Sequence, residues 1–227
     1  MDGVWNRAKL VAKDDDPQRV ERLARIRFHT EPLPAHAVMV LADALDIHLL
    51  PKVGAAWMPT GTQLKVMTPG QHAQHDLAGA LHLATGEMLH GRGARKTHAL
   101  FRDVLTRLDH ASPAPRMTRI YVVVDHSCIQ KAKAVGQWIE SHPRFVRLWL
   151  PTYGPRAHPI ERAFGDVHDP CTRNHRRKRL YDVVSDVEQH LRQNGPWLDK
   201  LSQLYEAPAV TAAVERMAAE ERVKVAA

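Results

Sequence analysis

Ile120-Tyr121-Val122-Val123-Val124-Asp125 is a run of five apolar, β-prone residues closed by a carboxylate. The run predicts a buried strand with an acid at its C-terminal end. Further on, Pro159-Ile160-Glu161-Arg162 has the form of a helix start, with proline at the opening and a carboxylate in the first turn. A third acid, Asp43, closes the apolar run Val38-Met39-Val40-Leu41-Ala42. The expectation is that Asp43, Asp125 and Glu161 meet in space and hold divalent metal for phosphodiester chemistry.

Working outward from Asp125, Lys131 to His142 carries Ala132, Val135, Trp138 and Ile139 at helical spacing, and Phe145 to Leu150 reads as the next strand. This half is βαβ in character. Upstream, Ala37 to Ala42 is too short for a helix and too continuously apolar for a surface strand, so it predicts a central strand. Gln63 to Met67 alternates weakly and is expected as a second strand, Leu77 to Leu83 as a third, with Glu87 to His90 pairing beyond the Thr85-Gly86 turn. His98 to Leu108 places Leu100, Phe101, Val104, Leu105 and Leu108 on one helical face. Helical pattern returns from Pro159 to Val167, from Leu180 to Leu191 and from Ala209 onward. The order of strand meander, helix, strand, helix, strand, helices defines an α/β class with a mixed sheet flanked by helices, of which the RNase H-like arrangement is one.

Three regions are expected: an N-terminal arm over residues 1–35, a catalytic domain over 36–195 and a helical tail over 196–227. Within the arm, Asp14-Asp15-Asp16-Pro17 precedes Val20, Leu23, Ala24 and Ile26, which predicts a short amphipathic helix ended by Pro32 and Pro34.

With 227 residues the chain can bury a sizeable core. Its 32 basic against 25 acidic residues leave a formal charge of +7, which favours a polyanionic partner such as nucleic acid. Two cysteines, Cys128 and Cys171, provide no disulfide framework or zinc-finger spacing and point to a reduced, cytoplasmic protein. No window has the length of uninterrupted apolar residues that a membrane span needs, so no membrane partner is expected.

Carboxylates gathered inside a fold raise one another's pKa and lose hydration, and a cation resolves the conflict. Mg²⁺ takes oxygen ligands and is held by one or two carboxylates plus water and phosphate, so two ions can share three acids. Each acid also has a plain structural reading: Asp43 as a strand end, Asp125 as the cap of a helix near Cys128, Glu161 as a first-turn acid favoured by the helix dipole. Asp46 lies outside the apolar run and would point to the opposite face if the strand continued.

These residues sit within longer motifs that carry a resemblance. Leu41 to Gly54, Trp57-Met58-Pro59-Thr60-Gly61, Thr68-Pro69-Gly70, Val124-Asp125-His126, Leu150-Pro151-Thr152-Tyr153-Gly154-Pro155, His158-Pro159-Ile160-Glu161-Arg162 and Thr172-Arg173-Asn174-His175 follow in order. Together they resemble the catalytic domain of bacterial insertion-sequence transposases of the six-thirty family, related to mariner elements. The resemblance covers nearly the whole chain. It implies a DDE superfamily endonuclease of RNase H-like fold that cuts DNA at transposon ends and joins the freed 3′-hydroxyl to target DNA. It further implies that Asp43, Asp125 and Glu161 are the catalytic and metal-binding acids, that Mg²⁺ or Mn²⁺ is the cofactor, two ions in number, and that DNA is the partner, with a homodimer as a further assembly.

The chain departs from the family pattern at Ala44, where Glu is usual, and at His126 and His158, where Asn is usual. Both histidines are expected near the metals as hydrogen-bond donors, and as cations they would oppose metal binding at low pH. Transposases of this kind join a DNA-reading helix-turn-helix region to the catalytic domain, and this chain is expected to begin at the linker. Two other functions are therefore kept beside the first: a remnant that binds DNA without catalysis, and a general RNase H-like nuclease acting on RNA–DNA hybrids.

Arg173, Arg176, Arg177, Lys178 and Arg179 form a basic run that predicts salt-dependent phosphate contact, against the plain reading of a solvated helix end. Lys52, Arg92, Arg95 and Lys96 are weaker candidates. His168, Cys171 and His175 have zinc-like spacing but lack a fourth ligand, so they read as packing residues. Trp57, Trp138, Trp149 and Trp197 read as core or loop anchors, not as base-stacking platforms.

Overall fold

The computed structural model describes residues 16–152, 158–197 and 203–226. The remainder of the 1–35 arm before Asp16, with Asp14 and Asp15, and the Tyr153-Gly154-Pro155 part of one motif lie outside the described residues.

Five strands form one sheet: β1 (Ala37–His48), β2 (Gln74–His82), β3 (Met88–Gly93), β4 (Arg119–Val124) and β5 (Phe145–Trp149), in spatial order β3-β2-β1-β4-β5. The first three make an antiparallel meander, and β4 and β5 continue from β1 in parallel. The parallel steps pass through helices α2 (His98–Ala111) and α3 (Lys133–Glu140), as parallel neighbours require a crossover. Other helices are α1 (Arg19–Thr30), α4 (Ile160–Asp166), α5 (Leu180–Gln193) and α6 (Pro208–Ala226).

Strand alternation sorts the core into two layers. Met39, Leu41, Leu45 and Ile47 of β1 join Tyr121 and Val123 of β4 on one face, covered by α1, α4, α5 and α6. Val38, Val40, Ala42, Ile120, Val122 and Val124 face the other way, against Leu100, Phe101, Val104, Leu105 and Leu108 of α2 and Val135 of α3. Apolar residues on both faces explain why these strands read as continuous hydrophobic runs.

Three expectations are corrected. Gln63 to Met67 is not a strand: both edges of β2 are taken by β1 and β3, and the weakly alternating segment stays exposed within the long β1–β2 connection. α1 is not outside the core, because Leu23, Ala24 and Ile26 are buried in the same cluster as the sheet. Trp57 is fully exposed, not an anchor, whereas Trp138, Trp149 and Trp197 do pack against the core. Among the described residues, no helix is long and apolar enough to cross a membrane.

Candidate metal centre

β1 runs past its expected end at Ala42 to His48, because Ala44, Leu45 and Ile47 keep pairing with β2. Its parallel partner stops earlier: the β1–β4 register ends at Ala42↔Val124. Asp43 therefore stands in mid-strand, at the point where β4 gives out and the next residue of that chain is Asp125. Alternation puts Asp43 with Met39, Leu41 and Leu45, and Asp125 in step with Tyr121 and Val123, so both acids belong to the face that α4 covers. By the same parity Asp46 falls on the opposite face, where its Oδ2 lies 3.5 Å from His48 Nε2.

α4 brings the third acid. Ile160, Phe164 and Val167 are buried against the sheet, and Glu161 lies in the first turn with its backbone N–H donating to the His158 carbonyl at 3.1 Å. Phe164 rests over Gly79 of β2, the residue paired with Asp43, and a Cβ at Gly79 would come within 3.0 Å of both the Phe164 ring and the Met88 sulfur. The missing side chain lets the helix approach closely enough for Glu161 to reach Asp43.

Ligand atoms of Asp43, His158 and Glu161 all lie within 4.8 Å of one another, forming, among the described residues, the one group of three or more such side chains close enough to hold a metal ion. Asp125 is outside that tightest set. Its Oδ1 accepts a hydrogen bond from the Ser127 backbone N–H at 3.1 Å, the local turn that the capping reading anticipates.

The electrostatics show a site short of positive charge. Burial, and then the charge of Asp125, push Asp43 up to about 6, even though the Ala44 N–H donates to its Oδ1 at 2.7 Å. Burial, with Asp43 and Asp125 next, pushes Glu161 up to about 7. Burial drives His158 down to about 4, leaving it a neutral imidazole at physiological pH. Converging carboxylates that resist ionisation beside a neutral imidazole are a donor set suited to a divalent cation, whose charge would reverse the penalty on each acid.

Three supports around these groups are not visible as motifs. Gln130, buried, donates from Nε2 to the Ala42 carbonyl at 3.3 Å and so ties the loop after Asp125 to the residue before Asp43. Lys96 donates to the Ala44 carbonyl at 3.1 Å. His126 stacks on Trp149 at 4.8 Å between ring centroids, and its Nε2 meets the guanidinium of Arg22, which is also paired with Asp16 at 2.9 Å. Burial and then Arg22 lower the pKa of His126, so its neutral ring can accept from the guanidinium. Sequence adjacency to Asp125 flagged His126, but its partner lies about a hundred residues away and had no local signal.

The basic run is divided by its neighbours. Arg173 pairs with Asp169 at 2.6 Å, Arg179 with Asp182 at 2.7 Å, and Arg177 with Asp186. Arg176 and Lys178 are exposed and make no ion pair among the described residues. The strand end after β1 is tied to this region, since the Lys52 N–H donates to the Thr172 carbonyl at 2.9 Å and Asn174 N–H to the Lys52 carbonyl at 3.0 Å. The zinc-like trio does not form a cluster: Cys171 is buried with its thiol toward the Asp186 carbonyl, and His168 contacts Lys52 and Thr172.

A mixed sheet in the order 3-2-1-4-5 with helices on both faces defines an RNase H-like fold. Residues 38–183 match the DDE superfamily endonuclease family, and the chain belongs to it. It is 34% identical over 194 residues to the insertion element IS630 uncharacterized 39 kDa protein of Shigella sonnei, a stretch covering 86% of this chain and 56% of that protein. The chain thus spans little more than half the length of this relative. Among solved structures, the Mos1 transposase paired-end complex with left transposon end is similar with a TM-score of 0.67 at 15% identity, covering 95% of this chain and 67% of that one. The catalytic domain of Mos1 mariner transposase is similar with a TM-score of 0.58 at 14% identity, covering 91% of this chain and 97% of that one. Both share the fold of this chain. Membership of the superfamily also carries the use of divalent metal.

Proposed function

We propose that this chain is the catalytic part of an insertion-sequence transposase that cleaves DNA at transposon ends and transfers the freed 3′-hydroxyl to target DNA. Asp43, Asp125 and Glu161 are the catalytic acids and hold Mg²⁺ or Mn²⁺, with two ions shared among them. The observation that supports this reading most is the convergence of Asp43 and Glu161 within 4.8 Å, on the sheet face that also carries Asp125, in a chain of the DDE superfamily. When bound, divalent ions supply activation of a water or 3′-hydroxyl and stabilisation of the leaving oxygen in an in-line displacement.

The residues of the chain provide the position. β1 holds one acid, the residue after β4 carries a second beside it, α4 sets the third against them, and the surrounding apolar core strengthens the field at the phosphate. Arg176 and Lys178 are the cations best available to a DNA backbone, and Arg173 exchanges its exposed partner Asp169 for phosphate at little cost, while Arg177 and Arg179 are held by the half-buried Asp186 and Asp182. A homodimer is part of the same proposal and is checked by light scattering with and without DNA.

The deciding experiment is cleavage of duplex DNA in Mg²⁺ or Mn²⁺. Wild-type cutting abolished in Asp125→Asn and Glu161→Gln supports the proposal, and cutting that is unchanged in Asp125→Asn overturns it. Salt-sensitive DNA binding without metal-dependent cutting would indicate the binding remnant, and preference for an RNA–DNA hybrid would indicate the general nuclease.

A further inference from the structure

Resting on the metal-centre reading above, we infer that His158 is itself a metal ligand, so that the ion between Asp43 and Glu161 has a mixed nitrogen and oxygen shell. The imidazole is 2% exposed and lies where α4 begins, three residues before Glu161. The hydrogen bond from the Glu161 N–H to the His158 carbonyl closes that turn, and residues three apart in such a turn face the same way. His158 Nδ1 stands 3.9 Å from Asp43 Oδ2.

That distance is beyond hydrogen-bonding range, so the imidazole is not there as a donor to the carboxylate. Two donors each about 2.1 Å from one ion lie about 3.0 Å apart when adjacent and about 4.2 Å apart when opposite, so 3.9 Å falls between the two and a small side-chain rotation brings both donors onto one ion. The second ring nitrogen, Nε2, is buried without a hydrogen-bond partner among the described residues. The place of the ion is given by the grouping of Asp43, His158 and Glu161 ligand atoms within 4.8 Å, and Nε2 is the further ring nitrogen that the fold leaves without a partner.

A nitrogen ligand changes which metal the site favours. Carboxylate, carbonyl and water suit both Mg²⁺ and Mn²⁺, whereas imidazole suits transition ions, and of these two only Mn²⁺ is a transition ion. The consequence is a centre that binds Mn²⁺ in preference to Mg²⁺ by more than an all-carboxylate site would.

The test is pulsed electron paramagnetic resonance of Mn²⁺ added to the full chain. The proposal expects a directly bound ¹⁴N coupling in wild type, lost in His158→Gln, with Mn²⁺ affinity falling by more than the roughly 10- to 100-fold typical of partners one step behind the ligands. The loss in Mg²⁺ affinity should be smaller. Absence of nitrogen coupling in wild type while Mn²⁺ binding still depends on Asp43 overturns the role of His158 and leaves the metal centre standing. Mn²⁺ binding unaffected by Asp43→Asn overturns the metal centre itself. Nitrogen coupling retained in His158→Gln assigns the signal to another histidine and overturns the proposal. If the variant does not fold, a crystal of the wild-type chain soaked in Mn²⁺ decides by anomalous density, within coordination distance of His158 or not.

Discussion

Phe164 lies directly over Gly79, and Gly79 is paired across the β1–β2 ladder with Asp43. One absent side chain thus sets how closely the helix bearing Glu161 approaches the strand bearing Asp43. Gly79→Ala should destabilise the protein by about 1–3 kcal/mol, the range for overpacking a filled core. Cleavage should fall further than stability accounts for, because Glu161 moves with α4. Adding Phe164→Leu should recover part of both losses, and urea melts combined with cleavage rates would show the coupling.

Acidity at the centre gives a pH dependence with a definite sign. Asp43 near 6 and Glu161 near 7 both stand above their ordinary values of 3.8 and 4.5, so the folded state holds these protons more tightly than the unfolded chain. Their stabilising contribution is fully present below about pH 4 and is lost as pH rises through 6 and 7. His158 acts in the opposite sense, losing its contribution as pH falls from 6.5 toward about 4. Without metal, Tm should therefore decline between about pH 6.5 and 8, and Mg²⁺ or Mn²⁺ should remove that decline. Thermal melts with and without chelator test this, and a metal-free Tm that climbs across the same window would contradict it.

Asp43→Asn should separate stability from activity. Neutralising the more buried acid relieves Glu161, whose pKa is raised in part by Asp43, so the metal-free variant should melt at or above the wild-type temperature. Cleavage should drop by at least about 10²-fold, the scale for removing one preorganised electrostatic group. Stability gained together with activity lost would mark Asp43 as a functional acid whose presence costs the fold.

Salt dependence of DNA binding should distinguish the basic residues. Arg176→Ala and Lys178→Ala should each flatten the slope of log K against log salt by about 0.9 if each neutralises one phosphate. Arg179→Ala should have a smaller effect, since Asp182 at 2.7 Å already occupies its guanidinium. Equal effects at all three positions would mean that the ion pairs seen here open on binding DNA.

Much of the fold follows from local pattern. The run Ile120 to Val124, the five-residue face of α2 and the apolar positions of α5 fix element type because they repeat at the period of a strand or helix. Gln63 to Met67 misled because weak alternation is also found in exposed chain, and a strand forms only where a neighbour has a free edge. The helix of the arm was legible but its burial was not, because a short amphipathic helix reads the same whether or not a sheet waits for its apolar face.

For the site, the sequence by itself singled out three candidate acids, their order, and the motifs that place the chain in the DDE superfamily, because those signals lie in neighbouring residues. Only the tertiary structure decided that Asp43 and Glu161 meet most closely with His158, while Asp125 on the same face turns one oxygen to Ser127. It also decided that Arg22 reaches His126 and that Gly79 seats Phe164. The physical reason is distance along the chain: strand parity can be counted from residue to residue, but which side chain crosses to another element depends on helix placement, and helix placement depends on the packing of the whole core.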